Sequence, residues 1–384
     1  MGIGASRFEK DLLSTSIPES ERFYGLENFG NTCYCNSVLQ ALYHCIPFRN
    51  SILEYYYKNG LHLPQNRKST DNLFLALADL FVNISQQKKR TGVVPPRKGH
   101  MHQDAHEFLN FLMNSISEHL GKMEKKKMEN SKATNSKSFN SSNQQQQQQQ
   151  STKNEEKKEE EIFEGILTNE TKCLTCESIT SKDESFLDLS IDIQQNTSIT
   201  SCLSNFSSVE TLSKNDKFFC DKCISLQEAQ KRMKIKKLPN TLIIHLKRFK
   251  FVEQYQQFQK LNYRVVFPFE IIIQNTTNTI EEPDKKYHLF AVVIHAGNGP
   301  NHGHYTSMVK SNGHWIGFDD ENMGIIPESD IFEIFGSQQE LVGRNECGYL
   351  LFYQTEESLN EKQFKSPVQQ NSSYASTLSN LFYG

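Results

Sequence analysis

The sequence predicts an α+β fold, with helices grouped in the N-terminal part and strands after them. Three observations carry this reading. Apolar residues recur at helical spacing from Cys33 onward and again in "QDAHEFLNFLMNSI". The strand-like runs "TLIIHLKRFKF", "YHLFAVVIHAG", "HYTSMVK", "HWIGFDD" and "CGYLLFYQ" all fall later in the chain. Between the two groups lies "EHLGKMEKKKMENSKATNSKSFNSSNQQQQQQQSTKNEEKKEEE", which has almost nothing to bury.

The first helix is predicted from Cys33, with Cys35, Val38, Leu39, Leu42 and Ile46 on one stripe. The second places Ala105, Phe108, Leu109, Leu112 and Ile116 on one face. The segment of about 121–161, including seven consecutive glutamines, reads as a disordered insertion, because burial cannot offset its ordering entropy. The expected organisation is an N-terminal extension (1–22), one domain over 23–355, and a frayed Ser/Asn/Gln-rich tail over 356–384.

Lys and Arg total 42 against 45 Asp and Glu, which gives no electrostatic footprint for nucleic acid or an anionic membrane. No apolar run is long enough to span a bilayer, and no export signal opens the chain. Nine cysteines, an odd number that includes two Cys-x-x-Cys pairs, point to metal binding and free thiols in a reducing compartment.

Cys33 and Cys35 sit two positions apart, so on a helix they point about 200° from one another. Cys35 falls on the apolar stripe and reads as packing. Cys33 falls at the helix start, just after the capping-type residues Asn31 and Thr32. Free N–H groups and the helix dipole favour a thiolate there and would lower its pKa. On local grounds a buried, inert Cys33 fits equally well, so a partner has to decide.

That partner lies in "GNGPNHGHYTSMVKSNGHWIGFDD". Asn312-Gly313 between strand-like runs is a two-residue hairpin signal. If these two residues form the turn, Ser311 pairs with His314, His304 faces Glu321, and Asp319 is the diagonal neighbour of His304. Asp320 is then expected on the opposite face. A carboxylate beside an imidazole fixes its tautomer, and without Cys33 the pair would read as a structural contact.

"GNTCYCNSVLQ", "QDAHEF", "LKRF", "GHY" and "FDD", in this order, resemble the ubiquitin-specific protease (ubiquitin carboxyl-terminal hydrolase) family of cysteine-dependent deubiquitinases. The resemblance covers about Phe23 to Gln354, apart from the insertion. It is strongest to the branch of hydrolases twelve and forty-six and their plant relatives. It implies a papain-like fold with thumb, palm and fingers, acting on ubiquitin and ubiquitinated proteins. The bond hydrolysed would be the one after ubiquitin's terminal glycine, through a thioester. Cys33 would be the nucleophile, His304 its general base and acid, Asp319 the residue that orients His304, and Asn28 an oxyanion donor. Read alone, Asn28 is equally a turn residue. A catalytically weak or silent ubiquitin-binding scaffold of the same fold is the alternative.

Asp104 and Glu107 read alone as a solvated charged face. The resemblance implies that they meet arginines near the ubiquitin C-terminus. It also places Gly303 and Tyr305 in substrate binding. Loops 251–264 and 297–303 would flank a narrow channel for the Gly-Gly tail.

"CLTC" (Cys173, Cys176) and "CDKC" (Cys220, Cys223), separated by 43 residues, have the form of two zinc knuckles. A lone Cys-x-x-Cys could serve redox chemistry, whereas two pairs favour one structural Zn²⁺ per chain. The resemblance puts this site in fingers spanning about 165–235. Cys45, Cys202 and Cys347 are assigned to packing.

"MGIGAS" matches the N-myristoylation pattern at Gly2, and only that acyl chain would bring the protein to a membrane. The expected localisation is cytoplasmic, with the nucleus as a second compartment. One departure stands out: only "RKGHM" separates "GVVPP" from "HQDAHEFL", where the branch carries a helix-length thumb segment. Either the thumb is truncated or an exon is missing. Relatives in the branch are activated by WD-repeat propeller proteins, so weak activity of the isolated chain is expected.

Overall fold

The computed structural model describes residues 3–59, 73–96, 104–134, 162–274, 276–280, 282–299, 302–338 and 345–361. Gly2 of the acylation motif, residues 97–103 of the short thumb segment and residues 135–161 of the insertion lie outside them. No helix among the described residues is long and apolar enough to cross a membrane.

Helices come first: α1 (Ile3–Leu13), α2 (Cys33–His44), α3 (Ile46–Lys58), α4 (Leu73–Ser85) and α5 (Ala105–Thr134). Both sequence stripes turn inward. Val38, Leu39 and Leu42 of α2, and Ala105, Phe108, Leu109, Leu112 and Ile116 of α5, are buried in one core with Phe74 and Phe81 of α4. Helix α2 is apolar on more than its stripe, and nearly every residue on it is buried. It is therefore the central helix, not a surface one.

The strands that follow form an eight-stranded sheet. Its spatial order is Asn322–Ile326, His314–Asp319, His302–Ser311, Lys286–Gly299, Glu346–Thr355, Thr241–Leu246, Leu189–Ile191, with Glu270–Ile272 also paired to Lys286–Gly299. Alternate residues along each strand enter different cores. Phe290, Ala291, Val293, Leu350 and Phe352 join the helical core, while Val292, Ile294, Leu351 and Tyr353 join a second core on the other face. Helix α2 packs across His302–Ser311. A helix carrying a cysteine at its start, laid against a sheet carrying a histidine, is the papain-like arrangement of an α+β fold.

A separate four-stranded sheet projects from this body. It runs Ile179–Phe186, Gly165–Cys173, Ala229–Lys237, Glu210–Leu212 and ends at the cysteine pairs. It spans the region expected to form fingers.

Three boundaries differ from the sequence reading. The expected extension is part of the main body: Phe8, Leu12 and Ile17 are buried in the helical core, and Phe8 meets Phe23 edge-to-face. Helix α5 continues to Thr134, into the expected disordered insertion. The Lys, Glu and Met residues there are good helix formers, and a helix already begun extends through them more easily than it starts. The tail starts with one more helical turn, Glu356–Leu359, capped by Thr355, whose hydroxyl accepts from the Ser358 N–H.

Candidate active site and cysteine cluster

Cys33 is the first residue of α2 and is buried. Thr32 occupies the N-cap but makes no side-chain capping bond. The backbone amides of Tyr305, Tyr34 and Cys33 itself act to lower the thiol's pKa. These amides favour a thiolate, but burial works against it, and the nearby Asp320 carboxylate adds to that effect. Burial wins, so the thiol is held above its ordinary value, contrary to the sequence expectation of a lowered one. The thiol therefore needs a base. Cys35 packs against the core, and burial pushes its thiol up to about 12. Cys45 lies just past the far end of α2, wholly buried, where its sulfur accepts from Gln354 Nε2 at 3.0 Å. Cys202 and Cys347 are buried too. These three are packing thiols.

The candidate base, His304, is positioned by the hairpin. Asn312 and Gly313 take left-handed conformations (φ 48° and 83°), and Ser311 pairs with His314 as the turn signal requires. The ladder stops at Ser307–Phe318, short of His304, and Asp319 turns to pair with Asn322. The diagonal contact nevertheless forms: His304 Nε2 lies 2.5 Å from Asp319 Oδ1. A carboxylate only accepts, so Nε2 carries the hydrogen and Nδ1 is left as the basic nitrogen. Tyr305, the next residue after His304, lies on the strand that packs across the helix begun by Cys33. Thiol and imidazole therefore share one corner of the fold.

Asp320 is not on the far side. It leaves the strand in a left-handed conformation (φ 50°), where period-two alternation no longer applies. Its carboxylate accepts from Asn28 Nδ2 at 2.6 Å and from Asn36 Nδ2 at 2.7 Å. Asn28 Oδ1 in turn accepts from the Gly30 and Thr32 N–H groups at 2.9 and 3.2 Å. The carboxamide is thus held at both ends, and among the described residues one of its two amide hydrogens is left to donate. The sequence reading included Asn28 but missed Asn36 and ranked Asp320 below Asp319. The one available signal was that "FDD" holds two acids and only one was given a role.

Asp104 and Glu107 separate in role. Asp104 caps α5, its Oδ1 accepting from His106 N at 2.8 Å and Glu107 N at 3.1 Å. Its Oδ2 accepts from the Tyr305 and Tyr349 hydroxyls at 3.0 and 2.8 Å. Glu107 is exposed in the first turn. Gly303 packs where no side chain fits: a Cβ there would lie 2.4 Å from His295 Nε2 and 2.5 Å from Ala296 O. A cleft of about 680 Å³ lies near these residues, lined by His245, Tyr349, Phe249, Phe251, Lys247 and Asp192. One side of it is the hairpin of Phe249–Val252 and Gln257–Lys260, within the loop expected to flank a tail channel.

The four expected metal cysteines converge. One sulfur from each of Cys173, Cys176, Cys220 and Cys223 lies within 4.8 Å of the others, and Cys176 and Cys220 are 3.6 Å apart. Thiolates at about 2.3 Å from a tetrahedral ion stand about 3.8 Å apart, so the set has the spacing that Zn²⁺ requires. The knuckles also share a backbone signature. Glu177 and Ile224, each directly after the second cysteine of a pair, adopt φ 59° and 51°. A β-branched residue in this conformation is strained and persists only where its surroundings over-determine it. Ligation of the adjacent thiolate would do that.

Comparison with known proteins agrees with this geometry. The sequence profile of the family described as Ubiquitin carboxyl-terminal hydrolase matches residues 24–353. Ubiquitin carboxyl-terminal hydrolase 4 of Arabidopsis thaliana is 52% identical over 370 residues, covering 92% of this chain and 99% of its own. Ubiquitin carboxyl-terminal hydrolase 12 of Salmo salar is 48% identical over 368 residues, covering 92% and 95%.

Proposed function

The chain belongs to the ubiquitin carboxyl-terminal hydrolase family and is a cysteine-type deubiquitinase, and from that premise we propose that Cys33, His304, Asp319 and Asn28 carry its reaction. One observation carries the residue assignment. The strand of His304, whose Nε2 is fixed by Asp319 at 2.5 Å, packs across the helix that begins with the buried Cys33.

His304 Nδ1 takes the thiol proton, which burial otherwise keeps on sulfur. The thiolate attacks the carbonyl carbon of ubiquitin's terminal glycine, and the new oxyanion meets the N–H of Cys33 and the free hydrogen of Asn28 Nδ2. Protonated His304 then donates to the leaving lysine amine, which departs and leaves a thioester on Cys33. Water, deprotonated by the same nitrogen, hydrolyses that ester and restores the thiol. Gly303, with no side chain, lets the backbone beside His304 pack closely against His295 and Ala296.

The four-cysteine cluster would hold one structural Zn²⁺ at the tip of the fingers, far from any chemical step. Leu174, Ile179, Val209, Phe219, Ile224 and Leu226 are exposed around those cysteines. An apolar surface of that kind supports docking of a WD-repeat propeller activator on the fingers. Such a partner would raise kcat more than it lowers KM. Cytoplasmic residence, with the nucleus as a second compartment, fits the nine free thiols.

The reading is tested by hydrolysis of a fluorogenic ubiquitin C-terminal amide by the purified chain, alone and with a WD-repeat partner. Slow turnover that the partner accelerates and Cys33→Ala abolishes is the expected result. Turnover that survives Cys33→Ala would refute the assignment.

A further inference from the structure

The carboxylate of Asp104 accepts four hydrogen bonds, two on each oxygen. A carboxylate offers about four lone-pair sites, so this one is fully engaged within the protein. Its partners belong to three separate elements. Two are the first amides of α5, one is the hydroxyl of Tyr305 on the strand of His304, and one is the hydroxyl of Tyr349 on the strand Glu346–Thr355. Both tyrosines are buried, and burial raises both hydroxyls above their ordinary values, so they remain donors.

We propose that Asp104 is a positioning residue: it ties the start of α5 to Tyr305, the neighbour of His304, and thereby fixes the strand His302–Ser311 against the helix that begins with Cys33. The proposal rests on the reading of Cys33 as nucleophile. A second anchor makes the tie stiff. His106, two residues into α5, stacks on His245 with ring centroids 3.7 Å apart and meets Asp188 at 2.9 Å. The His245 ring stands edge-on to Tyr349 at 4.9 Å. The helix start is thus pinned to the sheet on both sides of Asp104.

Were Asp104 to bind an arginine of the substrate, it would have to release the hydroxyls of two buried tyrosines, and a buried donor left without a partner is destabilising. The two acids of "QDAHEF" therefore divide the work. Asp104 acts through Tyr305 on the thiol, and Glu107, exposed one turn further on, is the acid free to meet a basic tail.

The test uses the full chain and three variants. Asp104→Ser keeps a side-chain oxygen to cap α5 but removes the acceptor of both tyrosines. Tyr349→Phe removes one donor without touching the cap or the His304 strand. Glu107→Ala removes the exposed acid. Two readouts are taken: steady-state kinetics on a ubiquitin C-terminal amide, and the rate of Cys33 alkylation by iodoacetamide, mapped by mass spectrometry. The small reagent needs no tail recognition, so it reports the thiol itself.

Asp104→Ser and Tyr349→Phe should each lower kcat about tenfold or more, with KM little changed and Cys33 alkylation slowed. Glu107→Ala should raise KM and leave both kcat and alkylation alone. If Asp104→Ser or, should that variant not fold, Tyr349→Phe raises KM only and alkylates at the normal rate, the positioning role is wrong. Hydrolysis that persists in Cys33→Ala would instead overturn the nucleophile, and the two failures are read separately.

Discussion

Asp320 accepts a hydrogen bond of 2.6 Å from the side-chain amide of Asn28, joining the residue after the catalytic-type strand to the loop before α2. The same carboxylate holds Asn36 at 2.7 Å, one turn into the helix that begins with Cys33. The helix that begins with Cys33, the Asn28 carboxamide and the end of the Asp319 strand therefore meet on one acid that the hairpin register alone would have placed elsewhere.

Asn28→Ala should lower kcat about 100-fold, the scale of one lost oxyanion donor. Asp320→Ala should approach that loss, because its effect runs through Asn28. The double variant should then be little worse than Asn28→Ala alone, since residues that act as one unit are not additive. Multiplying losses in kcat would show that Asp320 works by another route. Asp319→Ala, which acts on His304 instead, should add its full loss to either variant.

Cys33→Ala should abolish hydrolysis while ubiquitin binding persists, and Cys35→Ala should keep most activity. The thiol of Cys35 is pushed up to about 12 by burial and faces the core, so it is neither ionised nor in reach of the substrate. Activity measured beside a calorimetric titration with ubiquitin separates loss of chemistry from loss of binding.

Metal analysis of the purified chain should find one zinc per chain. Cys220→Ser leaves three thiolates without a closed site, so it should lose the ion and loosen the strands Gly165–Cys173 and Ala229–Lys237 before it affects the Cys33 region. Hydrogen exchange can follow both places at once. A metal-free chain with protected finger strands would contradict a structural role for the ion.

Stability should fall on mild acidification. Burial lowers His44, His245 and His295 to about 3 each, so all three are neutral in the folded protein at neutral pH. The unfolded chain takes up their protons near the ordinary value of 6.5 and the folded chain does not. Their contribution is thus present above about pH 6.5 and is lost as pH drops from there toward 3, at up to about 1.4 kcal/mol per pH unit for each histidine. Urea midpoints at pH 7.5, 6.5 and 5.5 (about one-unit steps across that window) should decline increasingly steeply. A flat profile would mean that these rings gain protons without unfolding.

How much of this was legible in the sequence depended on the range of the interaction involved. The stripes of α2 and α5 were readable because helical period and burial are local properties. The His304–Asp319 pair was readable too, because Asn312-Gly313 fixes the turn and with it the relative position of both strands. Asp320 was misplaced because alternation ends where the backbone turns left-handed. The raised thiol of Cys33 was hidden because desolvation is set by everything packed around the helix start, not by the helix alone. Tyr305 and Tyr349 meet Asp104 across 201 and 245 residues, a separation over which no local pattern carries information. The knuckles were legible as pairs, whereas their convergence on one point required the strand arms between them.

The central claim is that Cys33 is the nucleophile toward the ubiquitin C-terminus. It is tested most directly by treating the purified chain with ubiquitin that carries a C-terminal electrophile and mapping the adduct by mass spectrometry. The account predicts a single covalent adduct on Cys33, lost in Cys33→Ala and slowed in His304→Ala, with Cys35 and Cys45 unmodified. An adduct on another cysteine, or its formation at an unchanged rate without His304, would contradict it.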